Sequence, residues 1–127
     1  MSHRIDRTEY GFRFEHIGKP DSEEVVQFCE DARHAIDQTD GTFCVLSDQR
    51  ELEIFPEELS ELMAHAQSAG LTRSAAVVGS LTSQMQIDRL VSQARDGDSS
   101  IVVRAEDHAD PLDVAREWLE SGVDPTG

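Results

Sequence analysis

Three short, uninterrupted apolar runs, Thr42–Leu46, Ser74–Val78 and Ser100–Val103, most narrowly limit what this chain can fold into. A strand with one face in water alternates apolar and polar residues. A run that stays apolar is covered on both faces, as in a parallel sheet flanked by helices. A fourth segment, Tyr10–Ile17, does alternate, setting Phe12 and Phe14 against Arg13 and Glu15. One wet face is expected there, and with it a place at the sheet edge.

Helical spacing fills the intervals. Asp21 to Asp37 opens on an Asp21/Glu24 capping signature after Pro20 and carries Val25, Phe28, Cys29, Ala32 and Ile36 on one stripe. A second helix starts at Pro56, with Glu57 and Glu58 at its positive end, and runs through Leu59, Leu62, Met63, Ala66 and Ala69 to Gly70. A third begins within Ser80–Ser83 and carries Ile87, Leu90, Val91 and Ala94, with Gly97 beyond its end. The fourth is capped by Asp110, has Pro111 in its first position, buries Leu112, Ala115, Trp118 and Leu119, and stops at Gly122.

The order is therefore βαβαβαβα. It predicts an α/β fold, with a mostly parallel sheet of four to five strands and about four helices. At 127 residues there is material for one core. Residues 9–121 are expected to form the domain, behind a polar segment at 1–8 and ahead of a frayed tail at 122–127.

Charge narrows the partners. Asp and Glu number 26 against 11 basic residues, a formal −15, and Lys19 is the one lysine beside ten arginines. Such a surface repels phosphate backbones and anionic membranes, so neither nucleic acid nor membrane is an expected partner. It suits a very salty, halophilic cytoplasm, where screening removes the self-repulsion. The acids are spread from Asp6 to Asp124 rather than gathered into a patch for a basic partner. No apolar stretch approaches a signal core or a membrane span, and Cys29 and Cys44 read as buried free thiols, so a cytoplasmic location is expected.

Function in open α/β sheets tends to sit beyond the carboxyl ends of the strands. Three places qualify. Asp48, in Ser47-Asp48-Gln49-Arg50, reads as a phosphoacceptor or general base, or as a turn cap paired with Arg50. The latter is preferred, because the preceding strand end, Glu15-His16-Ile17-Gly18-Lys19, offers no acidic pair for magnesium. Gly79-Ser80-Leu81-Thr82-Ser83 leads into a helix and reads as an anion site or, preferably, as capping by Ser80 or Thr82. It lacks the lysine and glycine spacing of a phosphate-binding loop. Asp107 and His108 follow the last strand without an identifiable partner. The histidines His3, His16, His34, His65 and His108 show no metal-site spacing, with His34 and His65 expected on helix surfaces or boundaries. No catalytic residue, metal or cofactor is assigned. Asp48, Arg50, Ser80 and Thr82 remain as candidate anion or ligand contacts.

The segments Phe12–Gly18 with Asp21–Glu24, Phe43–Arg50 ending in Asp-x-Arg, Phe55–Leu59, Ala69–Gly79 and Asp113–Leu119 with its Ala-x-x-Trp-Leu ending carry a resemblance over residues 9–120. Together they resemble the SpoIIAA-like fold of STAS domains and the related STAS/SEC14-type proteins. That resemblance implies a non-catalytic regulatory or protein-interaction module. The resemblance implies a phosphorylatable serine or threonine, carried by the antagonists of that superfamily at the start of the helix after the second buried strand, where this chain reads Ile54-Phe55-Pro56-Glu57-Glu58. No hydroxyl stands there; Ser60 lies one turn inside, and Ser47 is the nearest substitute phosphosite. Glu57 carries negative charge at the helix start, as a phosphate would. The expected partner is an unidentified protein or a second copy of the chain, docked on helix faces or the Tyr10–Ile17 edge. The alternative is a lipid- or nucleotide-binding domain of SEC14/STAS type, which requires an apolar pocket of several hundred cubic ångströms. A third reading, a hydrolase or phosphotransfer protein, rests on Asp48 and Asp107 converging with further polar groups.

Overall fold

The computed structural model of the chain describes residues 2–93 and 100–122. Ala94, Gly97 and residues 123–127, where a frayed tail is expected, lie outside the described residues, as do the side chains of Leu90 and Val91. A five-stranded sheet has its strands in chain order. These are β1 (His3–Arg7), β2 (Gly11–His16), β3 (Phe43–Gln49), β4 (Leu71–Val78) and β5 (Ser100–Arg104). The helices are α1 (Ser22–Asp37), α2 (Glu57–Ala69), α3 (Leu81–Gln93) and α4 (Pro111–Ser121), with a 3-10 turn at Ala105–Asp107. β2 to β5 pair in parallel, and β1 alone runs antiparallel, against β2.

This corrects two expectations. Residues 3–7 are not merely a polar lead but form β1, and β2 is consequently an inner strand rather than the edge. β1 reads His-Arg-Ile-Asp-Arg and has Ile5 as its one apolar residue, so no hydrophobic pattern announces it. It is held by backbone pairing to β2, in which Arg4 lies opposite Glu15 and Asp6 opposite Arg13, while the Arg4 and Asp6 side chains pair with each other along the strand at 3.3 Å. The tight turn between β1 and β2 is closed by mutual hydrogen bonds of Thr8 and Gly11, at 2.8 and 3.3 Å.

The helix starts follow local chemistry. Asp21 accepts from the Glu24 amide while the Glu24 side chain returns to the Asp21 amide. Pro56 is the N-cap of α2 rather than its first helical residue. Asp110 caps α4 ahead of Pro111, and Gly122 ends it in the left-handed region.

Each strand step moves one place in the same direction, so α1, α2 and α3 come to lie in one layer. Phe12, Phe14 and Val45 meet Val25, Phe28, Ile36, Leu59 and Leu62 there. α4 returns to the opposite face and lies over β3, β4 and β5. There Leu46, Ala75, Val77, Ile101 and Val103 meet Ala115, Trp118 and Leu119. The Trp118 indole N–H donates to the Ser74 carbonyl at 3.1 Å, and Arg73 donates to the Leu119 carbonyl at 3.0 Å, fixing α4 on β4.

Gly11 begins β2 directly against the Cys44 backbone of β3. Its φ is +145°, and a Cβ there would sit 2.1 Å from the Cys44 carbonyl oxygen. Gly11→Ala is expected to destabilise the fold by more than about 2 kcal/mol, read as a lower urea midpoint with an unchanged slope. An unaltered midpoint would contradict the close approach.

Candidate functional site

The carboxyl ends of β2, β3 and β4 form one continuous surface. The Gly18 amide donates to Glu51 at 3.1 Å and Lys19 pairs with Glu53 at 3.6 Å, tying the loop after β2 to the loop after β3. Gly79 then presses against the end of β3: a Cβ there would lie 2.7 Å from the Arg50 carbonyl oxygen, so that close approach admits only glycine.

Asp48, 3% exposed, points toward the α4 side of β3. Arg50 grips it in bidentate fashion, Nε to Oδ1 at 2.9 Å and Nη2 to Oδ2 at 2.7 Å, and the Arg50 amide adds a third bond at 3.3 Å. Hydrogen bonding to Asp48 is the main cause raising the Arg50 pKa. A carboxylate so occupied is a closed turn pair. Ser80 caps α3, its hydroxyl accepting from the Ser83 amide at 3.1 Å, while Thr82 lies exposed in the first turn. Ser47 is in the body of β3, on the helix-layer side, and does not precede a loop.

Asp107 sits in the 3-10 turn and accepts from the Arg104 guanidinium at 3.1 and 3.2 Å. β4 separates β3, which bears Asp48, from β5, after which the turn bearing Asp107 follows, a spacing of about 9.5 Å between those two strands. Each carboxylate is thus engaged by its own arginine, and the two do not converge. Among the described residues no three His, Cys, Asp or Glu side chains are grouped to hold a metal ion. Cys29 is buried and Cys44 half-buried, both as free thiols; burial, reinforced by Glu58, Glu61 and Glu30, pushes the Cys29 thiol up to about 12. It is therefore protonated and unreactive near neutrality.

Three further features escaped sequence reasoning. His16 is 2% exposed and lies 4.4 Å, ring to ring, from Phe28, on the face that also holds Phe12 and Phe14. Neither of its ring nitrogens has a hydrogen-bonding partner among the described residues. Burial pushes its pKa down to about 4, helped by nearby His3 and opposed by Asp48. His3, opposite His16 across the ladder, is anchored by its Nε2 to Asp31 at 2.8 Å. Gln49, at the end of β3, is also buried, with its Oε1 unpartnered among the described residues. The side-chain alternation Phe12, Phe14, His16 was the available signal for the histidine; Gln49 had none, because β3 extends beyond its apolar run.

The second feature is a cavity of about 70 Å³ beneath α1, α2 and α3. Phe14, Phe28, Val45, Leu59 and Ile87 supply apolar walls, and Ser47, Gln49, Ser74 and Ser100 supply polar groups. Ser74 and Ser100 share a hydrogen bond of 2.6 Å. The third is an apolar rim. Ile17, Ile54, Leu81 and Met85, the large apolar side chains that stand exposed among the described residues, all belong to the loops and first helical turns at this end. Leu81 and Met85 lie one turn apart, off the stripe that buries Ile87.

Comparison of the chain with family models, with curated proteins and with solved structures finds no match in any of the three. Among the described residues no helix is long and apolar enough to cross a membrane.

Neutral burial of His16 has a thermodynamic consequence. In the unfolded chain the ring takes its proton near pH 6.5; in the folded chain it does so near 4. Between those values the unfolded state binds more protons, so stability falls with falling pH. The loss is complete below about pH 4 and is on the order of 3 kcal/mol. Urea titrations across that window are expected to show the extra slope in the native chain and its absence in His16→Leu. Equal slopes would place the ring in water.

Proposed function

We propose that this chain is a non-catalytic interaction module of the STAS/SpoIIAA type, acting in a cytoplasm of high salt and docking a protein partner on the carboxyl-end rim. The single observation that carries this reading is the gathering of Ile17, Ile54, Leu81 and Met85 at one end of the sheet. Scattered exposed apolar residues need no explanation, but two on loops and two at the start of α3, all at the same end of the sheet, offer a contact surface. Strands in chain order, with helices between the parallel pairs and a closing Trp118-Leu119 helix, also fit the SpoIIAA-like arrangement. The carboxylates at the strand ends are closed by Arg50 and Arg104, which favours binding over chemistry. Glu57 and Glu58 open α2 without a hydroxyl, so on this reading the module works without the phosphorylation switch of the antagonists it resembles.

The cavity favours a second reading, a small-ligand site, because Gln49 brings an unpartnered oxygen to an apolar chamber. At about 70 Å³ it falls short of the several hundred cubic ångströms that a lipid or nucleotide occupies. The interaction reading is therefore preferred.

Because Leu81 and Met85 are 56% and 64% exposed, Leu81→Asp combined with Met85→Asp leaves the core intact. Affinity capture at high salt, run in parallel with the native chain and this double variant, is the test. A protein retained by the native chain and lost by the variant, with identical thermal melts for both baits, is expected. Equal recovery of the same protein by both baits would remove the rim from the interface.

A further inference from the structure

β1 forms one end of the sheet, with no strand beyond it among the described residues. Its backbone phase is set by the Thr8/Gly11 pair and by the Ile17 amide donating to Ser2 at 2.8 Å. In an antiparallel ladder, bonded and non-bonded pairs alternate. Arg4 and Asp6 therefore bond to β2, through Glu15 and Arg13, while the N–H and C=O groups of His3, Ile5 and Arg7 point away from the sheet.

We infer that this edge pairs with the same edge of a second copy, antiparallel and centred on Ile5, making a two-fold dimer with a continuous sheet. Centred there, His3 meets the second copy's Arg7, Ile5 meets Ile5, and Arg7 meets His3, giving about six backbone hydrogen bonds. Arg4 and the opposing Asp6 then occupy the non-hydrogen-bonded pairs, where side chains come closest.

Charge selects this register. The outward groups belong to alternate residues, so the neighbouring allowed registers are two residues away. One sets Arg4 against Arg4; the other sets Asp6 against Asp6. Like charges directly opposite destabilise a ladder, whereas the centred register places opposite signs together twice. The pattern extends inward: Arg13, Asp6, the second copy's Arg4 and its Glu15 alternate in sign across four strands. In a chain of formal charge −15 most faces repel their own copies, and β1, with two arginines and one acid, is an exception. High salt shortens the range of the general repulsion to about 3 Å while backbone bonds persist, so the dimer is expected to strengthen in salt.

The test is sedimentation velocity across protein concentration and salt, on the native chain and on charge-exchanged forms. The native chain is expected to associate reversibly. Arg4→Asp alone and Asp6→Arg alone each set like charges opposite one another and should weaken association by at least about tenfold. Because either change also breaks the Arg4–Asp6 pair within the strand, the decisive arm is the mixture of the two, in which opposite charges meet again and a heterodimer forms. The double exchange Arg4→Asp with Asp6→Arg restores association on its own. Amide exchange supplies a second reading: on dimerisation, His3, Ile5 and Arg7 slow while Arg4 and Asp6 do not change. A native chain that stays monomeric at all concentrations and salts overturns the inference. A dimer indifferent to both single exchanges overturns it equally, because its interface then lies elsewhere.

Discussion

β3 has to serve two hydrophobic layers at once, and the remainder of the architecture depends on that. Val45 points into the layer built with α1 and α2, while its neighbour Leu46 points into the layer built with α4. A slip of one residue in its pairing with β4 would send each side chain to the wrong layer, so the two cores hold the register jointly. The extended register from Cys44–Arg73 to Gln49–Val78 then places the strand ends, with Asp48, Gln49 and the Gly79 turn, side by side.

Helix coverage is unequal on the two faces. Three helices line one face, whereas α4 lies chiefly over β3, β4 and β5 on the other. The uncovered half of that face belongs to β1 and β2, and it carries Arg4, Asp6, Arg13 and Glu15. Alternation in β2 thus reflects a missing helix on an inner strand rather than a missing neighbour strand. On its covered side the same strand is rigidly filled: Phe28 is met edge-on by Phe14, His16 and His3.

Most of the helical framework was legible in the chain. Asp21, Ser80, Asp110 and Gly122 announce helix ends through backbone bonds that each side chain or glycine satisfies locally, without reference to distant residues. The continuous runs announced β3, β4 and β5 because two-sided burial imprints directly on composition. β1 was illegible for the opposite reason: it is held by backbone pairing and by single tethers such as His3 to Asp31 and Arg7 to Thr39, which leave no apolar period. At the candidate site, the Asp48–Arg50 pair was visible as a two-residue interval, since both partners lie on one turn. His16 and Gln49 were not, because the burial of a polar side chain is decided by what another segment lays over it. The rim was missed for the same reason, being assembled from two separate loops and the start of α3.

Aromatic residues are sorted between the two layers. Phe12, Phe14, Phe28, Phe43 and Phe55 all belong to the three-helix side, whereas Trp118, the single tryptophan, sits opposite with Tyr10 nearby. Indole fluorescence consequently watches the seating of α4 and is blind to the larger layer. Far-ultraviolet dichroism is dominated by the other three helices. Where the two signals part company during denaturation, the molecule is coming apart one slab at a time; where they coincide, the shared ribbon at its centre makes the slabs a single cooperative unit.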